Sequence, residues 1–277
     1  MGSSPGCSIG FSSDDGDRIR AAWENAAASA PGSGQAATCY VLEQCASTQD
    51  CVKEAIARGE SAPILVVAST QTRARGTRGR LWHHDGSKDL GFSFLVAPRF
   101  DPRLLPMAIP VALRHALIEE LREANADFDA DRLRAKWPND LLLDGRKLAG
   151  ILIESADRGS WIVGIGINVG RVDFPSDVEA TATSLTRQML LNFDRSSVLC
   201  RVIQWLGKIL DQATRSSTAV VALYEASLGL VGKPVFVRTH HHTHSGVLAS
   251  VSIDQVRLAD GRSFACGEVE GLSSATE

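Results

Sequence analysis

Apolar residues recur at two different spacings between residues 38 and 228, which predicts a mixture of helices and strands. Residues 105–124 carry apolar side chains every three or four positions, as a helix with one buried face does. Short apolar runs bounded by glycine, proline or polar residues predict strands. We predict strands at 39–42, 64–68, 91–96, 134–137, 141–143, 147–154 and 161–169, and further helices at 47–59, 196–213 and 218–228. This order predicts an α+β fold, with a mainly antiparallel sheet and helices on one side.

The two ends of the chain have patterns of their own. The apolar spacing drops to two in short runs at 234–238, 246–252, 255–258 and 263–266, which predicts a small β-barrel. Residues 1–36 are rich in glycine, serine and alanine and contain one short helical pattern at 17–28, so we predict a mostly flexible extension. The predicted domains are residues 1–36, 37–228 and 229–277.

Composition and charge indicate a soluble protein of ordinary size. The 277 residues can bury a sizeable core, and a net charge of -3 argues against a DNA-binding surface. No apolar run approaches the roughly 18–20 residues that cross a bilayer, and residues 1–10 lack the pattern of a secretory signal. The six cysteines include no Cys-x-x-Cys pair, which favours free thiols in a reducing compartment. We predict a cytoplasmic protein without membrane or DNA partners.

The segment Lys136-Trp137-Pro138-Asn139-Asp140 places a cation, an amide and a carboxylate together at the end of a predicted strand. An Asp144-Gly145 turn then predicts a hairpin that leads into residues 146–154. A lysine at the mouth of a hairpin can bind an anion, so this segment is a candidate ligand site. The alternative is a solvent-exposed strand end followed by residues that favour turns.

A second candidate site is the arginine- and glycine-rich loop that follows the strand at 64–68. It contains two glycines, Gly76 and Gly79, and four arginines, Arg73, Arg75, Arg78 and Arg80. Glycines let backbone N–H groups approach an anion, and guanidinium groups bind phosphate through paired hydrogen bonds. The loop is therefore a candidate for phosphate binding, although a solvated basic turn would have the same composition. Trp82 at its end would either cover a base or fill the core.

Two further segments could contact a ligand. Ser47-Thr48-Gln49 begins a predicted helix, where hydroxyls can cap the helix and also face a ligand. Gly164-Ile165-Gly166-Ile167-Asn168 has alternating glycines on a predicted strand, which would admit a flat ligand or would mark a bend. The histidine-rich segment at 239–244 lies between two predicted strands, and we interpret it as an exposed loop rather than a metal site.

Taken together, these motifs resemble the signature of biotin protein ligases. In that family Lys-Trp-Pro-Asn-Asp precedes a hairpin and Arg-Lys-Leu-Ala-Gly-Ile-Leu with an acidic residue, and residues 136–154 match every position. The segments 71–82, 164–168, 182–185 and 267–269 are also similar to family segments, so the resemblance covers roughly residues 38–271. It implies the class II synthetase-like biotin/lipoate ligase fold followed by an SH3-like barrel. It also implies a monofunctional enzyme, because about 36 residues cannot form the DNA-binding repressor domain of some relatives.

The resemblance implies a reaction in two steps that depends on ATP and Mg²⁺. The carboxylate of biotin attacks the α-phosphate of ATP to give biotinyl-5'-AMP and diphosphate. A lysine of the biotin carboxyl carrier domain of a biotin-dependent carboxylase then attacks the acyl carbon. A homodimer is compatible with the resemblance. Two alternatives stay open: a lipoate or octanoate ligase, whose relatives generally lack Lys-Trp-Pro before Asn-Asp, and a biotin-binding homologue without catalysis.

The resemblance also assigns roles to individual residues. Lys136 and Arg75 are the predicted catalytic residues, with Lys147 as a second candidate for the central cation because lipoate ligases use a lysine there. The predicted biotin-binding residues are Ser47, Thr48, Gln49, Gln71, Arg75, Gly76, Thr77, Lys136, Gly150 and Gly166. The predicted ATP- or adenylate-binding residues are Arg78, Arg80, Trp82, Asn139, Lys147 and Asn168. The residues that hold Mg²⁺ stay unassigned.

The arginine loop departs from the family pattern at two positions. Ala74 stands where the family usually has a glycine, and Thr77 stands where it usually has a second arginine. An alanine tolerates positive φ less well than a glycine does, and a threonine removes a cation that would contact phosphate. We therefore predict that this loop retains the biotinyl-adenylate less firmly than an arginine-containing loop would.

Overall fold

The computed structural model describes residues 10–28, 36–86, 88–125 and 127–275, with all of their side chains except those of Arg78 and Arg158. Its helices are α1 (Ser13–Ala28), α2 (Thr48–Ala57), α3 (Leu105–Ala124), α4 (Leu185–Met189), α5 (Arg195–Arg215) and α6 (Ser217–Leu228). Its strands are β1 (Thr38–Cys45), β2 (Ile64–Gln71), β3 (Leu90–Val96), β4 (Leu133–Lys136), β5 (Asp140–Leu143), β6 (Arg146–Ser155), β7 (Trp161–Ile167), β8 (Pro234–Thr239), β9 (Thr243–Val251), β10 (Gln255–Leu258), β11 (Ser263–Ala265) and β12 (Val269–Ser274). Within these ranges, no helix has the length and apolar character that crossing a membrane requires.

Seven strands form the larger sheet, in the order β1-β2-β3-β7-β6-β5-β4. β1 and β2 are parallel and the other neighbouring pairs are antiparallel, which confirms the predicted mainly antiparallel sheet. Direct pairing places Gly166 between Gly91 and Gly150. The same row continues through Asp140 to Lys136 on the edge strand β4. Because directly paired residues share one face of a sheet, all five positions lie on the same face.

Helices cover both faces of this sheet. Strand residues such as Phe92 and Ile165 belong to the main core, which also contains the buried residues of α1, α3, α5 and α6. Alternate strand positions point to the opposite face of the sheet. On that face Val52 and Ala55 of α2 pack in a smaller cluster with Ile64. The prediction of helices on one side thus holds for those four helices, while α2 lies on the opposite face. That face also carries the row of glycines, so α2 stands beside it.

Helix α1 lies within the predicted extension and packs against the larger sheet. Residues 13–28 form a helix that buries Ile19 and Trp23, and the Trp23 ring lies 6.0 Å from that of Phe94. The helical pattern predicted at 17–28 is therefore confirmed, and its buried residues lie four positions apart. Residues 1–9 and 29–35, the rest of the predicted extension, lie outside the described residues.

Five strands form the second sheet, in the order β11-β10-β9-β8-β12, with antiparallel neighbours. It follows α6 and is consistent with the predicted SH3-like barrel. Trp137 joins it to the larger sheet, because its Nε1 donates to Val269 O at 2.8 Å and its ring lies 6.4 Å from that of Tyr224. The tryptophan of the Lys-Trp-Pro-Asn-Asp motif therefore anchors the C-terminal sheet. The histidines at 240–242 are exposed between β8 and β9, as predicted.

Candidate active site

Three paired glycines, Gly91 in β3, Gly166 in β7 and Gly150 in β6, form a bare strip across one face of the larger sheet. A Cβ atom on Gly166 would stand 2.5 Å from Cε2 of Trp82, and one on Gly150 would stand 2.9 Å from Cζ3 of the same ring. Carbon atoms in contact stay about 3.5–4.0 Å apart, so a side chain at either position would displace the indole. The glycines therefore make a flat floor on which Trp82 rests.

The Trp82 indole is also a wall of a small cavity above this floor. The small cavity has a volume of ≈ 40 Å³ and lies between the start of α2, the arginine loop and the glycine floor. The ring nitrogen is buried and meets no acceptor in the part of the chain that the structure describes. The sequence leaves two roles open for Trp82, covering a base or filling the core, and its contact with a base stays a prediction.

The start of α2, the last residue of β2 and Ser93 of β3 supply the polar end of the small cavity. Gln71 accepts at Oε1 from the backbone N–H of Thr48 at 2.8 Å. Ser93 Oγ lies 2.8 Å from Thr48 Oγ1 and donates to Gln49 Oε1 at 3.0 Å. Thr48, Gln49 and Ser93 are almost completely buried, so a ligand that displaces one of these bonds must replace it. The sequence predicts Thr48, Gln49 and Gln71 here but not Ser93, because one serine within an apolar strand carries no separate signal.

Three other predicted contact residues are Ser47, Asn139 and Asn168, and the side chains of the two asparagines bond to the protein backbone. Ser47 occupies the N-cap position of α2, although its side chain makes no capping hydrogen bond. Asn139 Nδ2 donates to Ile151 O at 2.7 Å, and Asn168 Nδ2 donates to Thr183 O at 2.9 Å. Asn139 lines the small cavity and Asn168 lines its larger neighbour, whereas Ser47 lines neither. Their roles toward ligands stay predictions.

A network of charged side chains borders the small cavity near α2. Arg75 bonds to Asp50 at 2.6 Å and to Glu154 at 3.2 Å. Glu154 also accepts from Lys53 at 2.9 Å and from Gln49 at 3.0 Å. Burial raises the pKa of Glu154, but the hydrogen bonds from Lys53 and Gln49 and the charges of Lys53 and Arg75 together hold the pKa below its ordinary value. The predicted catalytic residue Arg75 is therefore held between two carboxylates, and Glu154 is the acidic residue that closes the motif at 136–154, to which the sequence gives no site role.

Lys147 occupies the junction of the two cavities, whereas Lys136 does not. The Lys147 ammonium lies 2.7 Å from Asp140 Oδ1 and 5.5 Å from the centroid of the Trp82 ring. Lys147 and Asp140 line both cavities. Lys136 lines the larger one and is exposed at the end of the edge strand β4. The geometry thus favours the second of the two predicted central cations.

The larger cavity has a volume of ≈ 480 Å³ and adjoins the small one. Its walls include the arginine loop, the ends of the β4–β6 hairpins and the segment 171–182 that follows β7. Lys147 fastens this segment, because its N–H donates to Thr181 O at 2.7 Å and its C=O accepts from Thr183 N at 2.9 Å. Of the predicted ATP-binding residues, those that line the larger cavity are Arg80, Trp82, Lys147 and Asn168.

The arginine loop folds as a tight hairpin over both cavities. Gly76 N donates to Arg80 O at 2.7 Å, and Trp82 N donates to Ala74 O at 3.0 Å. Ala74 is buried and does not have a positive φ, so an alanine fits here without strain. Thr77 and Gly76 line both cavities. The side chain of Arg78, a predicted phosphate contact, lies outside the described part of the structure.

A buried ion pair supports the loop that follows Trp82. Asp89 is completely buried, Arg171 is 4% exposed, and Arg171 Nη2 lies 2.6 Å from Asp89 Oδ2. Burial raises the pKa of Asp89 to about 6, against the opposing effect of Arg171. Arg171 Nη2 also donates to His83 O at 2.8 Å. The sequence predicts neither partner, because no local pattern reveals a pair so far apart in the chain.

Known proteins of similar sequence and fold match the region that carries this site. A sequence model described as the biotin/lipoate A/B protein ligase family matches residues 41–170. The bifunctional ligase/repressor BirA of Bacillus subtilis is 31% identical over 221 residues, or 77% of this chain and 66% of that protein. The biotin–acetyl-CoA-carboxylase ligase of Mycobacterium tuberculosis is 28% identical over 198 residues, or 71% of this chain and 73% of that protein. The chain thus spans just under two thirds of the Bacillus relative.

A solved structure extends the similarity to the whole fold. The biotin protein ligase from Aquifex aeolicus, in complex with biotin and ATP, is 28% identical and superposes with a TM-score of 0.73. The match covers 86% of this chain and 99% of the Aquifex chain. The residues that the family model matches include α2, the arginine loop and all three paired glycines. Residues 41–170 of the chain therefore belong to the biotin/lipoate A/B protein ligase family.

Proposed function

We propose that this chain is an ATP-dependent ligase that activates biotin as biotinyl-5'-AMP and transfers it to a lysine of a biotin carboxyl carrier domain. The observation that carries the proposal is the position of Lys147, which joins a cavity floored by glycines to a cavity beside the arginine loop. A flat ring bound in the first cavity and a polyphosphate bound in the second can both reach the Lys147 ammonium. The similar Aquifex protein is described with biotin and ATP bound, which supports this choice of substrates.

Biotin occupies the glycine floor in this proposal. Its ureido group faces Thr48, Gln71 and Ser93, which offer donors and acceptors at the buried end of the small cavity. The cavity of ≈ 40 Å³ is far below the roughly 300–1,000 Å³ of typical ligand sites. Entry of biotin therefore requires the Trp82 indole to move away from part of the floor that it covers.

Lys147 neutralises charge during the first step. The biotin carboxylate forms a bond to the α-phosphorus of ATP, the bond from that phosphorus to the bridging oxygen breaks, and diphosphate leaves with the electron pair. Negative charge builds on oxygens that face Lys147, and Arg80 on the wall of the larger cavity binds phosphate. Asp140 holds the ammonium in place beforehand, so little reorganisation is needed when the charge develops.

The second step uses the same cation. An uncharged lysine amine of the carrier attacks the acyl carbon, an amide bond forms, and AMP leaves with the electron pair of the acyl–oxygen bond while the amine loses a proton. Lys147 stabilises the departing phosphate oxygen, and the arginine loop keeps the adenylate oriented. No covalent intermediate on the chain is needed.

Mg²⁺ accompanies ATP in this proposal. In the described ranges, no group of three or more histidine, cysteine, aspartate or glutamate side chains is arranged to hold a metal ion. Magnesium commonly binds through one or two carboxylates together with substrate phosphates and water. Asp140 lines both cavities and fits that limited role. A homodimer, the absence of DNA binding and a cytoplasmic location remain predictions.

Labelling of a carrier domain tests the proposed function. We expect the chain, supplied with ATP, Mg²⁺ and labelled biotin, to label a carrier domain but not the same domain with its target lysine changed to arginine. Labelling from octanoate in place of biotin would instead indicate a lipoate or octanoate ligase. Biotin binding without label transfer would indicate a non-catalytic homologue.

Gly166→Ala should weaken biotin binding by about tenfold, because the new Cβ would stand in the space above the glycine floor that the Trp82 ring now fills and that biotin takes when the ring moves away. Calorimetric titration with biotin measures the effect. Gly267→Ala is the matched control, since a Cβ there meets nothing within 4 Å. Equal affinities for the two variants would contradict the placement of biotin on the glycine floor.

A further inference from the structure

His84 is a mostly buried histidine beside the small cavity, and it is not needed by the mechanism above. Neither of its ring nitrogens has a hydrogen-bond partner among the residues that the structure describes. Burial, Arg195 and Arg171 lower the pKa of His84 to about 4. The imidazole is therefore neutral near pH 7, with one N–H donor and one acceptor nitrogen. A buried acceptor of this kind is expected to have a partner.

A candidate partner is the side-chain amide of Gln71. A Cβ atom on Gly91 would have three nearest neighbours, which are Gln71 Nε2, His84 Cδ2 and His84 Nε2, with both His84 atoms at 3.1 Å. The amide nitrogen and the imidazole therefore lie side by side over the same glycine. A larger residue at position 91 would separate them or expel one of them.

The hydrogen bonds of Gln71 fix which end of its amide faces the histidine. The backbone N–H of Thr48 can only donate, and it lies 2.8 Å from Gln71 Oε1. The hydroxyl of Thr48 is also within bonding distance of Oε1, at 3.2 Å. The NH₂ group of Gln71 must therefore point toward Gly91 and His84. An NH₂ group carries two donors and a neutral imidazole offers one acceptor, so the two groups are complementary.

We propose that His84 is a positioning residue for Gln71, a role that rests on the proposed function. In the ligand-bound site its acceptor nitrogen takes one N–H of the Gln71 amide. The second N–H then points at the carbonyl oxygen of the ureido group of biotin. His84 touches no reacting atom, so it sets the affinity for biotin and leaves the chemical step unchanged. Only a neutral side chain can do this, because a protonated imidazole has no acceptor.

Steady-state kinetics test the proposal through the separation of KM from kcat. His84→Ala should raise the KM for biotin about five- to thirtyfold, the effect of one lost hydrogen bond on a buried donor. We expect kcat to stay within about twofold, because the lost interaction is equal in the ground and transition states. His84→Gln, which restores an acceptor oxygen, should recover part of the affinity. The exposed His241 provides the control variant His241→Ala, which should match the wild type.

A double-mutant cycle decides whether His84 acts through Gln71. In a Gln71→Ala background, His84→Ala should change the KM for biotin by less than about twofold, because the group that it positions is absent. Equal effects of His84→Ala in both backgrounds would overturn the proposal. Thermal unfolding shows whether each variant folds, and His84→Gln carries the test if His84→Ala does not.

The same set of proteins separates this proposal from the proposed function. If the wild type labels the carrier and the His84 variants share its KM, the positioning role is wrong and the ligase assignment stands. If the wild type labels no carrier, the ligase assignment fails. Calorimetric titration of biotin into the wild type and His84→Ala then still tests the positioning role, and it is overturned if their affinities are equal.

Discussion

Lys147→Ala is expected to slow formation of biotinyl-adenylate by about 10²- to 10³-fold, the usual cost of removing a preorganised group that faces developing charge. Of the lysines in the described residues, Lys147 alone lines both cavities. Its ammonium is fixed 2.7 Å from Asp140 and above the Trp82 ring. Water that replaces the side chain would have to reorient as the charge develops. The free energy of this reorientation adds to the activation barrier.

Lys136→Ala is the matched control, because Lys136 was the first choice for the same role from sequence. Lys136 lies in the same row of paired residues as Gly150 of the glycine floor, but it is on the edge strand β4, two strands away from Gly150. At about 4.8 Å per strand, the backbone of Lys136 is roughly 10 Å from that of Gly150. Lys136 lines only the larger cavity of the two. We expect a smaller loss than for Lys147→Ala, mainly in the KM for ATP.

Two assays locate the defect of each variant. Release of diphosphate reports the first step, and transfer from supplied biotinyl-5'-AMP to a carrier domain reports the second. Lys147→Ala should slow both steps, because the same cation faces the phosphate in each. Thermal unfolding controls for the loss of the ion pair with Asp140. A larger loss for Lys136→Ala than for Lys147→Ala in either assay would return Lys136 to the central position.

The sequence predicts the sheet and the parts of the site that depend on short-range spacing. The Asp144-Gly145 turn and the apolar runs on either side predict the hairpin, and the alternating glycines predict a bare strand surface. Short-range spacing does not decide between Lys136 and Lys147 as the central cation. Both lie in one motif, and only the register of β4, β5 and β6 decides which one meets Trp82.

Contacts between residues far apart in the chain account for the parts that the sequence does not predict. Ser93, Arg171 and His84 acquire their roles from partners on other strands and loops, and no periodic pattern marks such pairs. Helix α1 is a similar case, because its few apolar residues gain significance only when Trp23 meets Phe94 of the sheet. The sequence therefore shows a short helical pattern at 17–28, but not the packing against the sheet that stabilises the helix.

Thr77→Arg is expected to lengthen the lifetime of enzyme-bound biotinyl-adenylate about ten- to hundredfold. Thr77 lines both cavities at the start of the turn Thr77–Gly79, so a longer side chain there can reach a phosphate in the larger cavity. A hydrogen bond between a guanidinium and a phosphate contributes about 1.5–3 kcal/mol. Ala74 needs no such compensation, because its backbone conformation suits an alanine.

The lifetime follows from a chase experiment in which labelled adenylate is bound, unlabelled adenylate is added in excess, and the remaining bound label is timed. Thr77→Gln is the matched control, since it lengthens the side chain without adding charge and should slow release much less. The difference between the two variants should shrink at high salt if charge is responsible. A released acyl phosphate reacts with exposed amines, so the wild type should label bystander proteins more than Thr77→Arg does. Equal lifetimes for the wild type and Thr77→Arg would show that the threonine does not loosen the loop.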